Sequence, residues 1–145
     1  MDNSMKILFV CTGNTCRSPM AEAIAKKLVK DQSLLDYSIE SAGVAAFEGQ
    51  PAARNAIEAM KELGIDISGH TAKCMVDTVT VDTDYFVPMT AEQKLVLLSL
   101  GIAEEKILDF DRPIPDPYGG SRETYRACRD ILMEEIKKIV DKIEG

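Results

Sequence analysis

One stretch near the start of the chain constrains the fold more than any other. Lys6-Ile7-Leu8-Phe9-Val10 is almost continuously apolar, breaks at Cys11-Thr12-Gly13-Asn14-Thr15, and gives way at Ser18-Pro19-Met20 to a helical pattern. A short apolar run bounded by turn chemistry reads as a strand buried on both faces, as in a parallel sheet covered on each side. Ser18 suits a helix N-cap and Pro19 the first helical position. Met20, Ile24 and Leu28 then recur every four residues, with Lys26, Lys27 and Lys30 gathering toward the helix C-terminus, where cations suit the dipole.

The alternation repeats along the chain. Tyr37–Ser41 is a strand candidate, followed by Ala42-Gly43 and an irregular stretch to Gln50. Pro51–Leu63 follows as a helix with Ala53, Ile57 and Met60 inward, closed by Gly64. Asp84–Pro88 and Lys106–Phe110 read as strands around a helix over Ala91–Leu100. A last helix places Tyr125, Cys128, Leu132, Ile136, Ile139 and Ile143 on one face, with Arg129, Glu134, Lys138 and Asp141 elsewhere. Strands alternating with helices predict an α/β fold: a single domain over residues 1–145, with a four-stranded parallel sheet flanked by helices on both faces. Pro113-Ile114-Pro115-Asp116-Pro117 is a stiff loop within that domain.

Composition narrows the chemistry. Lys plus Arg number 17 and Asp plus Glu 24, a net charge of −7, so no broad basic surface is available for nucleic acid or anionic lipid. An anionic ligand has to be taken by one concentrated local site. The longest apolar runs, Ile7–Cys11 and Leu95–Leu98, fall far short of the roughly 20 residues a spanning helix needs. Met1-Asp2-Asn3-Ser4 is unlike a secretion signal. The expectation is a cytoplasmic monomer with its four cysteines (11, 16, 74 and 128) reduced, bound to neither membrane nor nucleic acid. With one histidine, His70, and no Cys-x2-Cys pair, no metal site is expected. Cys128 falls on an apolar helix face and reads as core; Cys74 has no evident place.

The loop after the first strand carries the chemistry. A loop running straight into a helix N-terminus turns free backbone N–H groups toward a common concavity, and the helix dipole makes that concavity positive. Thr12, Gly13, Asn14, Thr15, Cys16, Arg17 and Ser18 would form such a cradle. Gly13 and Asn14 tolerate left-handed angles, and Arg17 adds a planar fork matched to two phosphate oxygens. Cys11 stands at its mouth, a thiol beside a helix N-terminus and an arginine, the setting in which sulfur acts as a thiolate nucleophile. Facing a phosphate-shaped cradle, it is aimed at phosphorus, and the cradle also fits the charge spread over the transition state.

The segment Val10-Cys11-Thr12-Gly13-Asn14-Thr15-Cys16-Arg17-Ser18-Pro19-Met20-Ala21-Glu22 resembles the signature of the low-molecular-weight protein-tyrosine phosphatase family. The likeness continues through Ser41-Ala42-Gly43, His70 and Asp116-Pro117-Tyr118-Gly119. It implies metal-free, cofactor-free hydrolysis of a phosphorylated protein through a cysteinyl-phosphate intermediate, with Cys11, Arg17 and Asp116 catalytic. Asp116 matches the general acid, which would protonate the leaving group and then act as base toward water; Asp109 and Asp111 do not match that position. Asn14, Ser18, Ser41 and His70 match a hydrogen-bond network behind the loop. Phe47 and Tyr118 match the aromatic walls of a substrate cleft, although Phe47 could equally be core. The resemblance also implies a reversible Cys11–Cys16 disulfide; as a residue alone, Cys16 reads equally well as a small buried side chain. Thr15 stands where many tyrosine-directed members carry isoleucine, and so resembles the branch that acts on phosphoarginine. The substrate alternatives are thus phosphoarginine and phosphotyrosine. A remoter one is arsenate reduction, which uses further cysteines that the segment from Tyr85 through the helix after it lacks.

Overall fold

The computed structural model describes residues 4–34, 36–75 and 83–145. The apolar run forms strand β1 (Met5–Cys11), the centre of a parallel sheet in the order β2–β1–β3, with β2 at Tyr37–Gly43 and β3 at Tyr85–Pro88. Helices α1 (Arg17–Asp31), α2 (Arg54–Lys61), α3 (Ala91–Ser99) and α4 (Arg122–Glu144) surround it, with a 3-10 turn at Glu104–Lys106. Alternate side chains of β1 enter different cores. Ile7, Phe9 and Cys11 join the larger one, with Met20 of α1 and Leu132 and Ile136 of α4. Leu8 and Val10 join a smaller one with Ala42, Phe86, Leu97 of α3 and Ile107. The continuous apolar run is therefore explained by burial on both faces.

The sheet has three strands among the described residues, not four. Lys106 is taken into the 3-10 turn, Ile107 makes a single bridge to Phe86, and the Leu108 N–H donates to the Phe86 carbonyl at 3.0 Å. The chain then leaves the edge: the Asp111 N–H donates to Glu135 of α4 at 2.9 Å. Asp109, Asp111 and Pro113 are poor ladder residues, and the segment is drawn away to carry 113–117 across to the end of β1.

Three helix details also depart from the sequence pattern. α1 begins at Arg17, with Cys16 in the N-cap position and no side-chain cap; the hydroxyl of Ser18 is engaged inside the preceding loop instead. α2 is shorter than Pro51–Leu63, because Pro51 bridges Thr71 and the Ala53 N–H donates to the Thr15 carbonyl at 2.8 Å. Its buried residues are Ala56, Ala59 and Met60, with Ala53 and Ile57 only partly covered. Gly64 does close that turn, at φ +75°. On α4, Arg129 is buried, not solvated, donating to the Ala59 carbonyl at 2.8 Å and to Glu62 at 2.7 Å. Ile143 is only partly covered. Cys128 is core, as its position on the apolar face predicts. Residues 1–3, part of the N-terminal reading, lie outside the described residues. No helix among the described residues is long and apolar enough to cross a membrane.

Candidate active site

β1 delivers Cys11 to the carboxyl end of the sheet, where ligands of open α/β sheets bind. The chain then turns through 12–16 into α1. Asn14 makes the turn, with φ +55° and a side chain wholly excluded from solvent. Its amide orientation follows from its partners. The Lys73 backbone N–H can only donate, and it meets Asn14 Oδ1 at 2.9 Å. The opposite end is therefore the NH2 group, which donates to Ser18 Oγ at 2.8 Å and Ser41 Oγ at 3.0 Å.

Ser18 Oγ lies 2.8 Å from Cys11 Sγ. Since Ser18 Oγ accepts from Asn14, its own proton is free to point at the sulfur. The Asn14 N–H donates to the same sulfur at 3.2 Å. Two donors thus converge on Cys11 and fix the position of its sulfur at the floor of the loop. Behind them, Ser41 Oγ donates to Glu22 Oε1 at 2.6 Å. His70 Nε2 lies 2.7 Å from the Asn14 carbonyl oxygen, which only accepts, so Nε2 carries the proton. Hydrogen bonds bring Asn14, Ser18, Ser41 and His70 together, with Glu22 and Lys73 beside them.

Gly43 secures the other side. A Cβ there would lie 2.5 Å from the Thr12 carbonyl oxygen and 3.0 Å from the Asn14 nitrogen, so only glycine lets β2 run this close beneath the loop. Its neighbours Val44 and Ala45 donate to the carbonyls of Cys11 and Thr12, each at 2.9 Å. Thr12 Oγ1 accepts from Gln93 of α3 at 3.1 Å. Gln93 Oε1 in turn receives the N–H groups of Met89 and Thr90. Sequence reasoning missed Gln93; the Thr90-x-x-Gln93 capping pattern was readable, but not that its amide would reach the loop.

Arg17 is buried at the start of α1, donating to the Ile114 carbonyl at 2.9 Å, with Nη2 3.7 Å from Asp116 Oδ2. Asp116 is exposed on its loop and held by an Asx turn, Oδ1 accepting from the Tyr118 N–H at 3.1 Å. These groups line a cavity of about 290 Å³, with residues 11–17 beneath and Asp116, Tyr118 and Phe47 around it. Phe47 is 75% exposed and Tyr118 77%, which removes the core reading of Phe47. Asp109 and Asp111 are tied to Lys94 and to Lys138 and Lys142 and do not line this cavity.

The remaining thiols sit differently. Cys16 is buried, its Sγ 3.3 Å from the hydroxyl of Tyr125. Burial pushes its pKa up, opposed by that hydrogen bond. Cys128 is pushed up to about 12, mainly by burial. Cys74 is half-buried at a bridge with Gly43. Among the described residues no two cysteines are joined by a disulfide. Among the described residues no cluster of His, Cys, Asp or Glu is arranged to hold a metal ion.

Comparison with known proteins agrees with this geometry. The family described as low molecular weight phosphotyrosine protein phosphatase matches residues 6–145. A protein-arginine-phosphatase of Geobacillus stearothermophilus is 34% identical over 96% of this chain and 96% of its own length. The solved structure of a low molecular weight protein tyrosine phosphatase from T. tengcongensis superposes with a TM-score of 0.89 at 39% identity, covering 96% of this chain and 99% of that one. An arsenate reductase of Bacillus cereus is 34% identical over 95% of this chain and 96% of its own length.

Proposed function

Since this chain belongs to the low molecular weight phosphotyrosine protein phosphatase family and its named relatives include protein-arginine and protein-tyrosine phosphatases, we propose that it hydrolyses phosphoarginine on proteins through a phosphocysteine at Cys11. The observation that carries the mechanism is the pair of donors, Ser18 Oγ and the Asn14 N–H, converging on a sulfur at the floor of a cavity that Asp116 overlooks.

In the first step the Cys11 sulfur attacks phosphorus as the bond to the leaving group breaks. The guanidinium of Arg17 and the amides at the start of α1 hold the three remaining oxygens. Asp116 gives its proton to the departing atom, a guanidine nitrogen for phosphoarginine or a phenolic oxygen for phosphotyrosine. In the second step the Asp116 carboxylate takes a proton from water, which attacks phosphorus, and the S–P electron pair returns to Cys11. The Ser18 hydroxyl donates to the sulfur as it departs.

The lean to phosphoarginine rests on Thr15, whose side chain borders the cavity, where it offers a hydroxyl to a guanidine N–H and an isoleucine would offer only hydrocarbon. The opposing observation is the aromatic pair Phe47 and Tyr118, which suits a flat aryl group. Arsenate reduction is disfavoured because neither β3 nor α3 contains a cysteine to resolve an intermediate on Cys11.

The deciding assay compares phosphoarginyl and phosphotyrosyl proteins for the wild type and Thr15→Ile, with Cys11→Ser as control. The expected result is greater turnover of phosphoarginine by the wild type, a shift toward phosphotyrosine in Thr15→Ile, and none in Cys11→Ser. Negligible phosphoarginine turnover beside phosphotyrosine would reverse the substrate assignment, and an active Cys11→Ser would remove the mechanism.

A further inference from the structure

The cavity over Cys11 does not end at its rim. It shares Thr12, Arg17 and Asp116 with a larger depression of about 780 Å³. That depression shares Thr90, Ala91, Arg112 and Pro113 with a third, of about 310 Å³. The three make one continuous trench leading away from Cys11 between the proline-rich segment 113–117 and the N-terminus of α3.

Both walls are fixed. The Ile114 N–H donates to the Met89 carbonyl at 2.9 Å, and the Ile114 carbonyl accepts from Arg17. The start of α3 is closed by its capping box and tied to Thr12 through Gln93. Phe47 and Tyr118 border the Cys11 cavity but not the trench beyond it. Arg112 stands where the second and third depressions meet. Its partner Glu134 lies 3.4 Å away, and both side chains are more than half exposed, a pair weak enough to exchange for another carboxylate.

We propose that this trench is the docking groove for the stretch of substrate polypeptide that flanks the phosphorylated residue, with Arg112 receiving an acidic side chain of that stretch. The proposal deepens the phosphatase reading of Cys11 and rests on it. Three features select this occupant. The trench is continuous with the cavity that takes the phosphoryl group. It is far larger than a phosphate or a single side chain requires. It is also bordered by short or apolar residues, Ala91, Pro113 and Pro115, together with Glu92, Asp109 and Asp111. Asp109 is engaged by Lys94 and Asp111 by Lys138 and Lys142, which leaves Arg112 as the cation whose partner is most readily exchanged, and this suits an extended backbone bearing one acid.

The test measures kcat/KM on p-nitrophenyl phosphate and on paired phosphopeptides, using whichever phosphorylated residue the wild type turns over faster. Each pair differs only in Glu or Lys at one of the three positions on either side. In Arg112→Glu, the Glu peptide of at least one pair is expected to lose roughly fivefold and its Lys partner to gain by a similar factor, with p-nitrophenyl phosphate turnover unchanged. Ala91→Trp, which plugs the trench, is expected to raise KM for both peptides and spare p-nitrophenyl phosphate. Unchanged peptide preference in Arg112→Glu at every position, or an Ala91→Trp enzyme with unchanged KM for both peptides, would overturn the groove. A wild-type protein unable to turn over p-nitrophenyl phosphate would instead overturn the phosphatase reading, and the groove with it.

Discussion

Asn14 concentrates the demands of the site in one residue. It supplies a left-handed turn, donates to two hydroxyls, accepts from Lys73 and through its carbonyl meets His70. Asn14→Ala leaves the Lys73 N–H without its partner and forces an alanine to positive φ. Together these are expected to cost about 2–4 kcal/mol in urea unfolding, with phosphatase activity lost. Asn14→Gly removes the strain but not the lost bonds, so it should recover about 1 kcal/mol of stability without recovering activity. An Asn14→Gly enzyme of wild-type activity would show that the turn alone, and not the amide, organises Ser18 and Cys11. Ser18→Ala separates the roles from the other side. Loss of a hydrogen bond to sulfur as it takes up charge on leaving phosphorus is worth about 1.5–3 kcal/mol, a fall of about 10- to 160-fold in turnover.

Among the elements, α2 and α4 are joined by ions that the sequence did not reveal. Glu62, just past the end of α2, receives Arg126 at 2.6 Å and Arg129 at 2.7 Å. These hydrogen bonds hold its carboxyl down at about 2. The unfolded chain takes up the proton nearer the ordinary carboxylate value, so the unfolded state binds more protons as the pH falls between the two. The contribution of Glu62 is therefore fully present above about pH 4.5 and fades toward pH 2. The stability difference between wild type and Glu62→Gln, read from urea midpoints, is expected to be largest at pH 6 and to shrink by pH 3. A difference that stays constant would mean that the ion contacts are not what holds these helices. Helical periodicity could place Arg129 on α4 but could not know that Glu62 would meet it, because that pairing is 67 residues away. The same limit explains the fourth strand. Lys106–Phe110 has a strand's apolar residues, yet it bridges at Ile107 and is then diverted by the Asp111–Glu135 bond. Ser18 and Pro19 make a sound cap pattern, but the hydroxyl is claimed by Cys11 and Asn14 across the loop. What was legible is what is local: the burial of β1, the α1 periodicity, the left-handed turn at Asn14, and the Cys11–Arg17 spacing. Gly13, read from sequence as a left-handed position too, does not take a positive φ, because Asn14 alone makes that turn. Gln93 and Tyr125 reach the loop by tertiary contacts that carry no local signature.

For the molecule as a whole, all three strands send side chains into both cores, and the nucleophile sits at the end of the central one. The larger core contains Leu132 and the smaller contains Leu97, each fully buried. Leu132→Ala and Leu97→Ala are each expected to cost about 2–5 kcal/mol. The two leucines share no core, and their costs should add to within about 0.5 kcal/mol in the double variant. Two separable cores could unfold independently. Here they cannot, because loss of either exposes one face of the central strand, so unfolding should remain a single transition in every variant. Activity should be lost in that same transition, since Cys11 shares the larger core while Thr12 is tethered through Gln93 to α3 above the smaller one. A double variant with two resolved urea transitions, or with activity vanishing well before backbone structure in the wild type, would show that the loop is stabilised apart from the sheet and that its hydrogen bonds alone set its shape.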